Sequence, residues 1–127
     1  MYYLLTLVLQ LHLMKKIYPL IAAILFSLMA NAQCPTGQTQ VVVTIVPDSY
    51  PNETSWTLNN AQTNVQYGAG NVNGGTVCVP DNVCLRFTIN DSYGDGICCN
   101  YGNGSYTVTF GGQTVATGSQ FTNTESS

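Results

Sequence analysis

The sequence predicts an all-β domain, a small antiparallel β-sandwich or jelly roll held by disulfides, on three observations. Downstream of residue 32, short Thr/Val-rich runs alternate apolar and polar residues at period two, which puts one side of each run on a core. Gly, Pro, Asn and Asp cluster between those runs, as turns do between many short strands. No stretch there repeats its apolar residues every 3.6 positions, as an amphipathic helix would.

Residues 1–32 stand apart. From Met14 the chain reads M-K-K, then an apolar run over 17–29, then Ala30-Asn31-Ala32. A charged head, an apolar middle and an A-x-A site make a secretory signal peptide. Met14 is read as the true start, with residues 1–13 an over-extended reading frame. An uncleaved anchor needs about 20 uninterrupted apolar residues, and Lys15, Lys16 and Pro19 interrupt this run. Asn31-Ala32-Gln33 ahead of Cys34 is a poor lipoprotein context. The expectation is export, cleavage after Ala32, no membrane attachment, and a single domain over 33–127.

Cleavage removes Lys15, Lys16 and His12, leaving Arg86 alone against Asp48, Glu53, Asp81, Asp91, Asp95 and Glu125, a net charge of −5. One cation makes no basic patch, which excludes nucleic acid as a partner. Without His there is no Ser-His or Cys-His nucleophile pair and no His-bound zinc or copper. Only carboxylates remain for acid-base work. Cys34, Cys78, Cys84, Cys98 and Cys99 all follow the leader, so an oxidising compartment makes disulfides the expectation. Each stabilises by about 2–4 kcal/mol, a large share for a thin core. An odd count leaves one thiol free, or paired beyond Ser127 or with another chain. Zinc would want a C-x-x-C pair, and none occurs.

The strands follow in order. Residues 38–46 place Val41, Val43 and Ile45 on one face, and Pro47 ends the run. The connector 48–53 has turn chemistry and two acids. Residues 54–58 form a second strand with Trp56 and Leu58 inward, and 63–67 a shorter third, before a loose Gly/Asn loop over 68–75. C-V-P-D-N-V-C reads as a turn between arms 77–79 and 83–90, with a Cys78–Cys84 bridge across it feasible if the pair faces at disulfide distance. The second arm alternates Leu85, Phe87 and Ile89 inward against Arg86 and Thr88. Tyr106, Val108 and Phe110 alternate in turn, Gly111-Gly112 is a two-residue hairpin, and 113–117 returns. Phe121 begins one further strand.

The stretch 90–106, N-D-S-Y-G-D-G-I-C-C-N-Y-G-N-G-S-Y, concentrates the chemistry. Asp91, Asp95 and Gly96 have the spacing of positions 1, 5 and 6 of a calcium loop, where carboxylates converge on the ion and glycine permits the bend. Position 3 is Tyr93 and no Glu stands at position 12, so this is no EF-hand, yet the ingredients of an oxygen-lined Ca2+ site are there. Asp48 and Glu53 join Asp91 and Asp95 if the two loops emerge at one end of the sandwich. Against this, Asp91 and Asp95 can serve as Asx turn-formers and Glu53 can cap or pair with Arg86. Tyr50, Tyr93 and Tyr101 offer faces on which a sugar ring could stack, or else pack with hydroxyls outward. A glycosidase pair of carboxylates would need a substrate cleft that 95 residues leave little room for.

The signatures D-S-Y-P-N-E-T-S-W at 48–56 and D-S-Y-G-D-G-I-C-C-N-Y-G-N-G-S-Y at 91–106, with C-V-P-D-N-V-C-L-R-F-T-I between them, resemble a cysteine-containing β module of secreted multidomain proteins of Bacteroidetes. That module stands beside metalloproteases or other hydrolases and type IX secretion sorting domains, and also occurs in some algae and oomycetes. The likeness spans nearly all of 33–127. It implies a further cysteine-bearing strand after Ser127, hence a fragment, with Cys34 or one of Cys98 and Cys99 lacking its partner. Tyr50-Pro51 and Trp56 also resemble, more distantly, a CUB domain, a secreted sandwich whose loop acids hold calcium. No settled activity comes with the cysteine-containing module. The functional expectation is a secreted, non-catalytic, calcium-stabilised accessory or adhesion module that binds a glycan or a surface as part of a larger exported protein. The alternative is a structural β spacer attached to a secreted hydrolase or metalloprotease.

Overall fold

A computed structural model describes residues 33–127; the signal-peptide assignment lies outside the described residues. Residues 34–127 form one compact unit of two four-stranded antiparallel sheets packed as a sandwich. β1 (Gln38–Val46), β4 (Gly75–Pro80), β6 (Ser105–Phe110) and β7 (Gln113–Gly118) form one sheet in the order β4-β1-β6-β7. β2 (Thr54–Asn60), β3 (Gln66–Asn71), β5 (Leu85–Asp91) and β8 (Thr124–Ser126) form the other as β3-β2-β5-β8.

The alternation read from the sequence builds the core. Val41 and Val43 of β1 and Tyr106 and Val108 of β6 face Trp56 and Leu58 of β2 and Phe87 and Ile89 of β5, all buried. Phe87 bridges the sheets, its ring 6.4 Å from Trp56 and 5.3 Å from Tyr106. Gly111 and Gly112 both take positive φ, 57° and 82°, as the expected hairpin between β6 and β7 demands.

Three expectations are corrected. Residues 68–75 are not a loose loop: β3 occupies Gln66–Asn71, later than the expected 63–67, and β4 begins at Gly75. Two of the glycines make room for Trp56. A Cβ on Gly70 would stand 2.7 Å from the indole nitrogen and one on Gly75 2.7 Å from its ring, so the bare strands β3 and β4 close over the indole. The C-V-P-D-N-V-C stretch is not a hairpin, because β4 pairs with β1 in one sheet and β5 with β2 in the other. Both arms present an apolar face to the same core from opposite sides, so Pro80-Asp81-Asn82 crosses between sheets. Cys78 therefore bonds to Cys34, at a Cα separation of 5.5 Å, and not to Cys84. Cys98 bonds to Cys99, and Cys84 is a free, exposed thiol. The last strand begins at Thr124, not Phe121, which instead packs against the core. Among the described residues no helix is long and apolar enough to cross a membrane.

Candidate functional site

β5 carries its inward alternation one step beyond the apolar residues: after Phe87 and Ile89 the next inward position is Asp91, only 3% exposed. A carboxylate there must be compensated. Its Oδ1 accepts hydrogen bonds from the Tyr93 amide at 2.8 Å and the Gly94 amide at 2.7 Å, so the chain turns tightly around it. Across the ladder Asp91 faces Thr54, whose hydroxyl is buried without a hydrogen-bond partner.

The residue before Thr54 is Glu53, at the end of a 3-10 turn (Pro51–Glu53). The Ser92 amide donates to the Glu53 carbonyl at 3.1 Å, which ties the two acidic loops together. Glu53, Asp91 and Asp95 each bring a carboxylate oxygen within 4.8 Å of the others. Oxygens 2.3–2.6 Å from one ion lie up to about 5 Å apart, so this spread suits a Ca2+ ion. Burial, then Asp91, Asp95 and Asp48 in that order, pushes the Glu53 carboxyl above its usual range. Arg86 offers no relief. It bonds to the Asn64 side chain and the Ala61 carbonyl at the other end of the strand, so the expected Glu53–Arg86 pairing does not form.

Asp48 comes to the same end of the sandwich but stands outside the three-oxygen group. Its Oδ1 accepts the Tyr50 amide at 2.8 Å, and its backbone lies against Gly102, where a Cβ would come within 2.9 Å. The Ser49 amide donates to the Tyr101 carbonyl at 3.0 Å, a second tie between the loops. The three tyrosines do meet here. Tyr50, Tyr93 and Tyr101 line a recess of about 200 Å³ with Glu53 and Asp95. Tyr50 and Tyr101 pack edge to face at 5.4 Å and 82°. Tyr93 is 76% exposed and the other two are half exposed.

Sequence reasoning missed Thr54 and the segment 121–123. The Asp91 amide donates to the Asn123 carbonyl, and Gly94 is pressed against the Asn123 side chain, where a Cβ would come within 2.7 Å. Nothing in an F-T-N run signals that contact. Thr54 could have been found, since it occupies an inward position two residues before Trp56.

No known protein family matches this chain, and neither curated proteins nor solved structures include a significant match to it. The reading of the site rests on its own geometry.

Proposed function

We propose that this chain is a secreted, non-catalytic module of a larger exported protein, of the kind its cysteine-bearing signatures resemble, stabilised by Ca2+ and binding a glycan or a surface. One observation carries the reading: three carboxylates gather beside a tyrosine-lined recess that two of them, Glu53 and Asp95, help to wall, and among the described residues no cationic side chain neutralises them. Asp91, Asp95 and Glu53 would hold the ion, with Asp48 adding field. Bound, the ion cancels the mutual repulsion of the acids and locks the 48–53 and 91–96 loops together. The exposed faces of Tyr50, Tyr93 and Tyr101 then bury the apolar side of a sugar ring while neighbouring polar groups bond its hydroxyls. With no His and no Lys past the leader, acid-base catalysis has only carboxylates to draw on, and an ion accounts for them better. Two disulfides are compatible with an exported domain.

A second reading, the structural spacer, is favoured by one observation. Asp48 and Asp91 each already give an oxygen to amides of their own loops. Thermal melts with Ca2+ and with chelator separate the two. The module reading expects a raised midpoint, since a ligand at about 100 times its Kd adds about 2.7 kcal/mol, and expects that rise to vanish in Asp95→Ala. A glycan array with Ca2+ present, repeated on Tyr93→Ala, then tests the tyrosines. A midpoint indifferent to Ca2+ in well-folded protein leaves the spacer.

A further inference from the structure

The recess joins two kinds of wall. Three are aromatic, Tyr50, Tyr93 and Tyr101, and two are carboxylates, Glu53 and Asp95. Tyr50 and Tyr101 stand nearly perpendicular, at 82° with their centroids 5.4 Å apart, so they form a corner and not one flat platform. Tyr93 is 76% exposed and leaves most of its ring open to a ligand. A neutral sugar stacks on an aromatic face, but it has no charge to set against the carboxylates.

The field in the recess has one sign. Asp91, Asp95 and Asp48 all act on the Glu53 carboxyl, which together with burial raises its pKa. Arg86, the only Lys or Arg among the described residues, is bonded to Asn64 and Ala61 instead. A bound ion does not reverse the sign: Asp48, Glu53, Asp91 and Asp95 carry four negative charges when ionised, and Ca2+ supplies two positive ones, which leaves −2. Glu53 and Asp95 each bring one oxygen to the three-oxygen group. A carboxylate has two, so each keeps a second oxygen for whatever enters the recess they wall.

Resting on the reading of this site as glycan-binding, we propose that its ligand is a cationic glycan, one built of amino sugars with free amino groups. The sugar ring lies on an open tyrosine face, and its ammonium sits between the aromatic corner and the second oxygens of Glu53 and Asp95. Three features select it. The negative face of an aromatic ring attracts a cation, and carboxylates beside it strengthen that attraction. An amino sugar holds its ammonium one bond from a rigid ring, so stacking and charge pairing form together; a lysine side chain would first have to immobilise a flexible four-carbon stem. The same field repels sugars that carry carboxylates or sulfates, which sets the specificity by exclusion as well.

The test is calorimetry of the purified chain with oligomers of glucosamine and of N-acetylglucosamine of equal length, in Ca2+ and in chelator. At about pH 6 the amines are protonated and ordinary carboxylates ionised. The glucosamine oligomer is expected to bind about tenfold or more tightly than the acetylated one, with the ratio shrinking as salt rises. Glu53→Gln, which keeps the shape of the side chain, narrows the ratio, and Tyr93→Ala weakens binding of the glucosamine oligomer. The salt dependence of the unaltered chain stands as the readout should either variant not fold. Equal or tighter binding of the acetylated oligomer overturns the proposal and leaves the glycan-binding reading in place. A ratio unmoved by salt or by folded Glu53→Gln also overturns it, as does a lysine oligomer that binds as tightly, since the recess would then read charge alone. Binding of neither sugar oligomer overturns it too; a neutral glycan captured on the array then keeps the module reading, and an empty array removes both.

Discussion

The two ends of β2 and β5 are built on one register and hold opposite chemistry. At one end the inward pair is Leu58 and Phe87, walling an apolar cavity; at the other it is Thr54 and Asp91, under a cluster of acids. Four residues of strand, about 13 Å, separate Phe87 from Asp91. Each end has its own disulfide: Cys34–Cys78 fastens the start of β1 to β4, and Cys98–Cys99 sits in the loop beyond the acids. The difference teaches where stability and function divide in a small sandwich. The apolar end contributes transfer free energy that needs no ligand. The acidic end accumulates like charge, which costs stability, and the proposed ion would relieve that cost.

The largest expected effect breaks the apolar end. Phe87→Ala removes the ring that joins Trp56 to Tyr106 and should cost about 3–5 kcal/mol, lowering the midpoint by about 15 °C or more, equally with Ca2+ or chelator. A drop that Ca2+ relieves would mean that the two ends are not separable. Next is Cys78→Ser. It opens a loop whose ends are 44 residues apart, worth about 4 kcal/mol, again without altering the Ca2+ response.

At the acidic end, Asp91→Ala takes the acceptor from two amides and should cost about 1–3 kcal/mol while also abolishing any Ca2+-dependent rise. Calorimetry in both buffers reads the two losses separately.

Glu53→Gln sharpens the contrast through pH. The folded-state pKa of Glu53 lies above its ordinary value of 4.5, so the folded protein holds that proton more tightly than the unfolded chain does. The group's stabilising contribution is full below 4.5 and is lost as pH rises through the raised value. In chelator, Glu53→Gln should melt above the unaltered protein near about pH 7 and match it near about pH 4. A lower midpoint at the higher pH would show that Glu53 is already satisfied without an ion. The smallest effect is Cys84→Ser, expected within about 0.5 kcal/mol because the thiol is exposed and unbonded; a loss like that of Cys78→Ser would return Cys84 to a disulfide.

What was legible in the sequence was whatever depends on alternation. Val41 and Val43, Phe87 and Ile89, Tyr106 and Val108 all face inward as their period-two spacing predicts. The Gly111-Gly112 hairpin was legible because a two-residue turn requires positive φ. The meeting of the loops at 48–53 and 91–95 was only conditional, since it depends on strand direction: β2 starts where β5 ends because they run antiparallel in one sheet. Residues 68–75 were misread because propensity treats glycine as a breaker, while here Gly70 and Gly75 make room for Trp56.

By itself the sequence determined that residues 33–127 are an all-β domain with a net acidic charge, five cysteines and a loop rich in oxygen and tyrosine, because these follow from residue types and their local period. Only the tertiary structure decided which sheet each strand joins, and with that the Cys34–Cys78 bond, the neighbours of Trp56, and the gathering of Glu53 with Asp91 and Asp95. Pairing between strands distant in sequence is settled by how their faces pack together, and no local pattern carries that information.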